Sequence, residues 1–563
     1  MTPYLRLAAS AAMVLAACTQ PQPADVVIRG GTVYDGTGAE GRVADVVIVG
    51  DRIAAIGDGS GWTGAVEVAA AGRAVAPGFI NMLSWATESL IEDGQSQADI
   101  RQGVTLEVFG EGWSYGPWSE EMKAYNKSQQ TLIEYDIDWT TLGEYLESLE
   151  RRGISPNVAS FVGATTVRIH ELGFEDRAPD ADELQRMKDH VRLAMEEGAL
   201  GVGSSLIYAP AFFAETDELI ELSSVAAEYG GLYISHIRNE SYSLLPALEE
   251  LITISREAGI RAEVYHLKAA GTDNHHKIDL VAERIEEARA EGLEISTDMY
   301  TYVAGATGLD AAMPIWVQEG GYEAWAERLR DPEIRARVIE EMGEVSLEWE
   351  NLRLMAGDEG VLFSSFRNED LRHFRGKTLA EVAEARGTSP EDTIVDLVIE
   401  DGSRVGVIYF LMSEENIRKK IRLPWMSFGS DAGSPATEGV FLEYSPHPRA
   451  YGTFARLLGR YVRDEEVIPL AEAIHKLTGL TAEKLRIADR GTLETGRFAD
   501  VVVFDPETIT DHATFTDPHQ YATGVEHVWV NGEQVLRDGE HTGATPGRVV
   551  RGPGWTNDEE SSE

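Results

Sequence analysis

The sequence predicts an α/β fold, an eight-stranded β/α barrel of the TIM type carrying a small β-sandwich domain assembled from both chain ends. Three observations lead there. The middle of the chain alternates short apolar runs with amphipathic stretches, the pattern of repeated βα units. Eight of these runs qualify as strands, the number that closes such a barrel. Both ends instead show alternating apolar residues broken by Gly-rich turns, as antiparallel strands do.

Taken in order, residues 1–18 read as an export signal: Arg6 supplies positive charge, and Leu7 to Ala17 is an apolar run too short to span a bilayer. The run ends in Leu15-Ala16-Ala17-Cys18, which resembles a bacterial lipobox, and Cys18 is the one cysteine of the chain. With no partner for an internal disulfide, its use is as an acylation site and membrane anchor. Thr19 rather than an acidic residue follows it, and by resemblance to Gram-negative lipoproteins the expected location is the cell envelope, on the outer membrane facing the periplasm.

Residues 19–75 hold the first part of the small β domain, with strand-like Val26-Val27-Ile28, Ala44 to Val49 and Arg52 to Ile56. The barrel is assigned to 76–485, with strands at Ala76 to Leu83, Val104 to Phe109, Asn157 to Val162, Leu200 to Ser204, Leu232 to His236, Ala262 to His266, Glu294 to Asp298 and Met426 to Asp431. Between them lie amphipathic helices such as Ala181 to Glu197, with Leu184, Met187, Val191 and Ala194 at helical spacing. Residues 301–423 exceed one βα connection; they include the helix-like Tyr322 to Glu341 and the apolar Val405 to Met412, and are read as an insertion covering the barrel mouth. Residues 486–550, with Ala499 to Phe504 and Val525 to Gly532, complete the small domain, and 551–563 form an acidic tail.

Lys and Arg number 49 against 95 Asp and Glu, a net charge of −46 that repels nucleic-acid phosphates over most of the surface. A nucleic-acid partner is therefore not expected. The 43% hydrophobic content and the length suit a large folded core rather than a disordered chain.

In a β/α barrel the C-terminal ends of the strands converge on one mouth, so polar residues finishing apolar runs are the ones to examine. Four qualify: Glu111 after strand two, His236 ending strand five, His266 ending strand six and Asp431 ending strand eight. Two imidazoles and a carboxylate form a reasonable ligand set for one zinc ion, leaving a position for water or substrate. A second carboxylate beside that water suits proton transfer.

Several segments carry a resemblance: Val75-Ala76-Pro77-Gly78-Phe79-Ile80, Gly103-Val104-Thr105, Ser235-His236-Ile237-Arg238, His266-Leu267-Lys268, Pro446 to Phe454, and Gly496-Arg497-Phe498-Ala499-Asp500. Over nearly the whole mature chain the sequence resembles the N-acyl-D-amino-acid deacylase (D-aminoacylase) branch of the amidohydrolase superfamily. The resemblance implies zinc-dependent hydrolysis of the amide bond of a small-molecule N-acyl-D-amino acid. It also implies Asp431 as base and acid, Tyr208 near the oxyanion, and Lys268, Tyr300 and Arg449 at the substrate carboxylate.

Two departures stand out. Where the superfamily has Asp-x-His-x-His, this chain has Asn81-Met82-Leu83-Ser84-Trp85, and Leu and Trp cannot ligate zinc. Where the better-known deacylases have a cysteine ligand, it has Glu111, whose oxygen is harder than thiolate yet compatible with zinc. One ion is therefore expected, on Glu111, His236 and His266. Two alternatives stay open: an amidase or peptidase for other N-acyl or D-amino-acid-containing compounds, and a degenerate, non-catalytic binding lipoprotein.

Overall fold

The computed structural model describes residues 21–556. The segment read as an export signal, with Cys18, and the acidic end of the tail lie outside the described residues, and no described helix is long and apolar enough to cross a membrane.

Eight parallel strands close into the barrel. The first three are Phe79–Asn81, Val104–Phe109 and Asn157–Ser160, the third resuming at Val162–Gly163. Gly201–Ser205, Leu232–His236, Arg261–Val264, Ile295–Met299 and Met426–Phe428 follow in sequence order. The ring is completed where Met82 N–H donates to the Phe428 carbonyl at 3.1 Å. The helix Ala181–Glu196 starts at Asp180, which forms a reciprocal capping box with Glu183, and it buries Met187, Val191 and Ala194 against the barrel.

The first strand is shorter than the apolar run Ala76 to Leu83 predicts. Ala74–Pro77 pairs antiparallel with Val501–Phe504 of the small domain, so one continuous run serves two sheets. Gly78 turns between them, pressed so close to Thr105 that a Cβ would overlap it. Strands six and eight also end early, two and three residues before His266 and Asp431. Both of those residues take left-handed backbone, φ 34° and 50°, on the turns just past the strands. His236 alone of the three remains the last residue of its strand.

The small domain is a sheet in which Gln22–Val33 pairs antiparallel with Arg42–Val49 and parallel with Trp62–Ala69 and Ala74–Pro77. The C-terminal strands Val501–Phe504 and Val525–Val530 extend it. Val26, Ile28, Val46, Ile48, Val501, Val503 and Trp529 share its core, which is why the two ends of the chain form one unit.

The excursion after strand seven has its own core around Leu309, Trp325, Phe363, Ile394 and Val407. Its sheet is antiparallel, Ala304–Gly308 and Val361–Ser365 flanking Gly406–Phe410. The single helix expected from Tyr322 to Glu341 is two, Tyr322–Arg328 and Pro332–Met342. Pro332 cannot continue a helix, and Asp331 caps the second by accepting from Glu333 N–H and Ile334 N–H. The helix Glu414–Ile421 inserts Ile417 and Ile421 into the barrel core, so the separate packing unit ends before residue 423.

Candidate active site

A cavity of about 750 Å³ opens between the barrel mouth and the excursion. From the barrel it takes Glu111, Tyr208, His236, His266, Lys268, Tyr300, Asp431 and Arg449; from the excursion, Thr307, Asp310, Trp325, Arg404 and Tyr409. That volume is within the range of small-molecule sites. All eight candidate residues that sequence reading placed at a site within the described chain therefore meet in one chamber.

At its floor Glu111 Oε1 lies 2.7 Å from His266 Nε2 and 3.1 Å from His236 Nδ1. Three ligand atoms converging with these spacings are what a zinc-class ion requires, since donors about 2.0–2.1 Å from one ion lie roughly 3 Å apart. The donor set thus fits a metal centre. Burial alone would raise the Glu111 carboxyl, but the positive charge on His266 and the two imidazole contacts override it and hold it well below the usual carboxylate range.

The rear of both rings faces one carboxylate that sequence reading missed. Glu240 Oε2 stands 3.6 Å from His236 Nε2, and its Oε1 stands 3.3 Å from His266 Nδ1. The same Oε1 accepts from Lys268 Nζ at 2.9 Å, and that ammonium is 2.6 Å from His266 Nδ1. Glu240 thus places one negative charge behind both imidazoles and pairs it with the Lys268 ammonium. Asp298, the last polar residue of strand seven, was also overlooked: its Oδ1 accepts from His266 N–H at 2.9 Å and fixes the left-handed turn. The strand-end rule that found Asp431 applies equally to Asp298; Glu240 offered only its position four residues after His236.

Asp431 Oδ2 lies 4.0 Å from His266 Nε2 and 2.7 Å from Arg449 Nη1. Burial raises its carboxyl above the ordinary value, with the Arg449 charge opposing. His447 positions that arginine: Nδ1 accepts from Arg449 N–H at 2.9 Å, so Nε2 carries the proton and donates to the Ala304 carbonyl, also at 2.9 Å. Arg449 also covers the Tyr300 ring at 4.5 Å. The Tyr300 hydroxyl and Arg449 Nε are buried without a hydrogen-bond partner among the described residues. Tyr208 packs edge-on against His236, ring centroids 5.5 Å apart.

Trp85 lines the chamber beside Glu111, and Leu83 lies in the core beneath it. Leu83 is fully buried among Ile80, Met82, Leu106 and Tyr265, and the Trp85 indole N–H donates to Glu111 Oε2 at 3.0 Å. Glu111 thus has one oxygen facing the two imidazoles and the other accepting from an indole.

Glu350 of the excursion closes the rear of the site, its Oε1 accepting from Glu240 N–H at 2.9 Å while Oε2 has no partner. Burial and the neighbouring Glu240 charge push its carboxyl from an ordinary 4.5 to about 8. Between those values the folded chain keeps a proton that the unfolded chain has released, so this group's stabilisation is present at low pH and lost as pH rises through that window. Glu350→Gln is accordingly expected to flatten the fall in melting temperature across that window and to exceed wild type at pH 8. An unchanged difference between variant and wild type at both ends of the window contradicts it.

Residues 66–536 match the amidohydrolase family. A D-aminoacylase of Alcaligenes xylosoxydans xylosoxydans is 34% identical over 94% of this chain and 98% of its own. A solved D-aminoacylase structure, described for its binuclear metal centre with one-metal activation and second-metal attenuation, superposes with a TM-score of 0.78 at 33% identity, covering 94% of this chain and 100% of the other. An N-acyl-D-glutamate deacylase from Bordetella bronchiseptica, complexed with zinc and a phosphonate mimic of the tetrahedral intermediate, has a TM-score of 0.77 at 30% identity, with coverage of 94% and 100%.

Proposed function

The chain belongs to the amidohydrolase family, in its D-aminoacylase branch, and on that premise we propose that it hydrolyses the amide bond of N-acyl-D-amino acids with one zinc ion on Glu111, His236 and His266. The observation that carries this reading is the convergence of those three donors beside Asp431 in a chamber that also holds Tyr300 and Arg449.

Bound there, zinc supplies Lewis acidity that polarises a carbonyl and acidifies water. Asp431 takes a proton from the attacking water at its carboxylate and returns it to the departing amine nitrogen. A raised carboxyl makes Asp431 the stronger base toward the attacking water, and the proton it gains still passes on because the departing amine nitrogen is far more basic. Tyr208 donates from its hydroxyl to the charge that builds on the carbonyl oxygen. Tyr300 and Arg449 orient the substrate carboxylate through a hydroxyl and a guanidinium nitrogen that the protein leaves unpartnered. Lys268 contributes to the same carboxylate with a charge shared with Glu240.

The single-ion reading rests on buried Leu83 and on the Trp85 indole bonded to Glu111, neither of which offers a lone pair to a metal. The D-aminoacylase relative with one-metal activation supports the same economy.

Paired N-acetyl-D- and N-acetyl-L-amino acids, assayed with zinc counted on the same sample, test the reading. Turnover of D substrates is expected, lost on chelation and restored by zinc, with His236→Ala losing one equivalent of zinc and the activity together. Preference for L substrates overturns the substrate class, and full activity in metal-free protein overturns the mechanism.

A further inference from the structure

A second constellation with the same donors lies on the helix pair that follows strand three. His170 and Glu171 end the helix Ala164–Leu172, and His190 lies on the neighbouring helix Ala181–Glu196. Glu171 Oε1 is 3.1 Å from His170 Nδ1 and 3.1 Å from His190 Nε2, and the two rings are 4.1 Å apart. The active-site set repeats atom for atom: one carboxylate oxygen facing Nδ1 of one imidazole and Nε2 of another. The parallel extends to the other carboxylate oxygen, held by the Trp85 indole in the chamber and by Arg186 Nε at 2.6 Å here.

We propose that His170, Glu171 and His190 form a peripheral binding site for a transition-metal dication of the zinc class. Both spacings match the separation of neighbouring ligands around one such ion, roughly 3 Å. The imidazoles are about a fifth exposed, His170 21% and His190 23%, so an ion can enter from solvent and keep water in its remaining positions. Arg186 neutralises much of the Glu171 charge, which disfavours calcium and magnesium, ions that need several oxygen ligands, and leaves two nitrogens to select the softer class.

Occupancy ties together two helices flanking the loop that starts at Gly173. Phe174 of that loop lines the substrate chamber, and its carbonyl accepts from Gly320 N–H of the excursion at 3.0 Å. The site therefore braces the seam between barrel and excursion from outside.

Metal-free protein reloaded with zinc in excess magnesium, which saturates sites built from carboxylates alone, is counted for zinc and melted with and without the ion. Two equivalents per chain are expected in wild type. The His170→Ala/His190→Ala variant, and a His170→Gln/His190→Gln variant that keeps polar side chains there, are expected to bind one equivalent, keep hydrolysis and lose part of the zinc-dependent rise in melting temperature. His236→Ala is expected to keep the peripheral equivalent, so the two sites are read separately. Equal zinc counts in wild type and both double variants overturn the proposal.

Discussion

Asp431→Asn is expected to lower kcat about 10²–10⁴-fold, or about 3–5 kcal/mol of barrier, with zinc content unchanged. The amide side chain keeps the shape of the carboxylate but cannot accept the proton of the attacking water. Asp431 stands 4.0 Å from His266 Nε2, beyond bonding distance, so the three donors on Glu111, His236 and His266 survive the change. Arg449, 2.7 Å from Asp431 in the wild type, loses its ionic partner, and a modest change in KM accompanies the loss of turnover. Steady-state kinetics with metal analysis on one preparation decides the matter. A kcat within tenfold of wild type removes Asp431 from the proton transfer; loss of zinc together with activity makes it a ligand instead.

The second large effect is on stability. Where strands six, seven and eight meet the helix Gly479–Leu485, Lys484 Nζ donates to Glu263 Oε1 at 3.0 Å, the Thr297 carbonyl at 2.9 Å and Ser427 Oγ at 2.7 Å. Glu263 is fully buried, and burial with the Glu263 charge pushes the adjacent Asp298 carboxyl up to about 8. Lys484→Met leaves Glu263 with no cation beside it, and a buried charge stripped of its partner costs about 3–5 kcal/mol. Urea denaturation is expected to show that loss as a lower midpoint at unchanged slope. The double change Lys484→Met/Glu263→Met removes the stranded charge and is expected to recover much of it. A single-variant loss below about 1 kcal/mol contradicts the pairing, since that is the worth of an exposed ion pair.

The candidate site was legible to the extent that its chemistry sits at the ends of apolar runs. Glu111, His236, His266 and Asp431 each interrupt such a run with a group that burial would penalise, and that contrast is a local property. Leu83 and Trp85 were legible as missing ligands, but the indole bond to Glu111 Oε2 was not, because it joins two loops through a geometry that neither contains. Glu240 escaped for a similar reason. It follows strand five in an ordinary polar stretch, and only the turn of the chain brings it behind both imidazoles and against Lys268. Glu350 comes from a different packing unit and had no signal at all.

By itself the sequence determined the periodicities that form eight strands and their helices, the identity of the convergent strand ends, and the family to which the chain belongs. The tertiary structure decided where strands stop and which charges pair. Ala76 and Pro77 pass to the small domain because Val501–Phe504 competes for their backbone groups, and His266 and Asp431 occupy strained turns because the closed barrel holds them there. Periodicity and polarity are written in neighbouring residues; pairing between groups as distant as Lys484 and Glu263 exists only once barrel closure has removed the water that would otherwise solvate both.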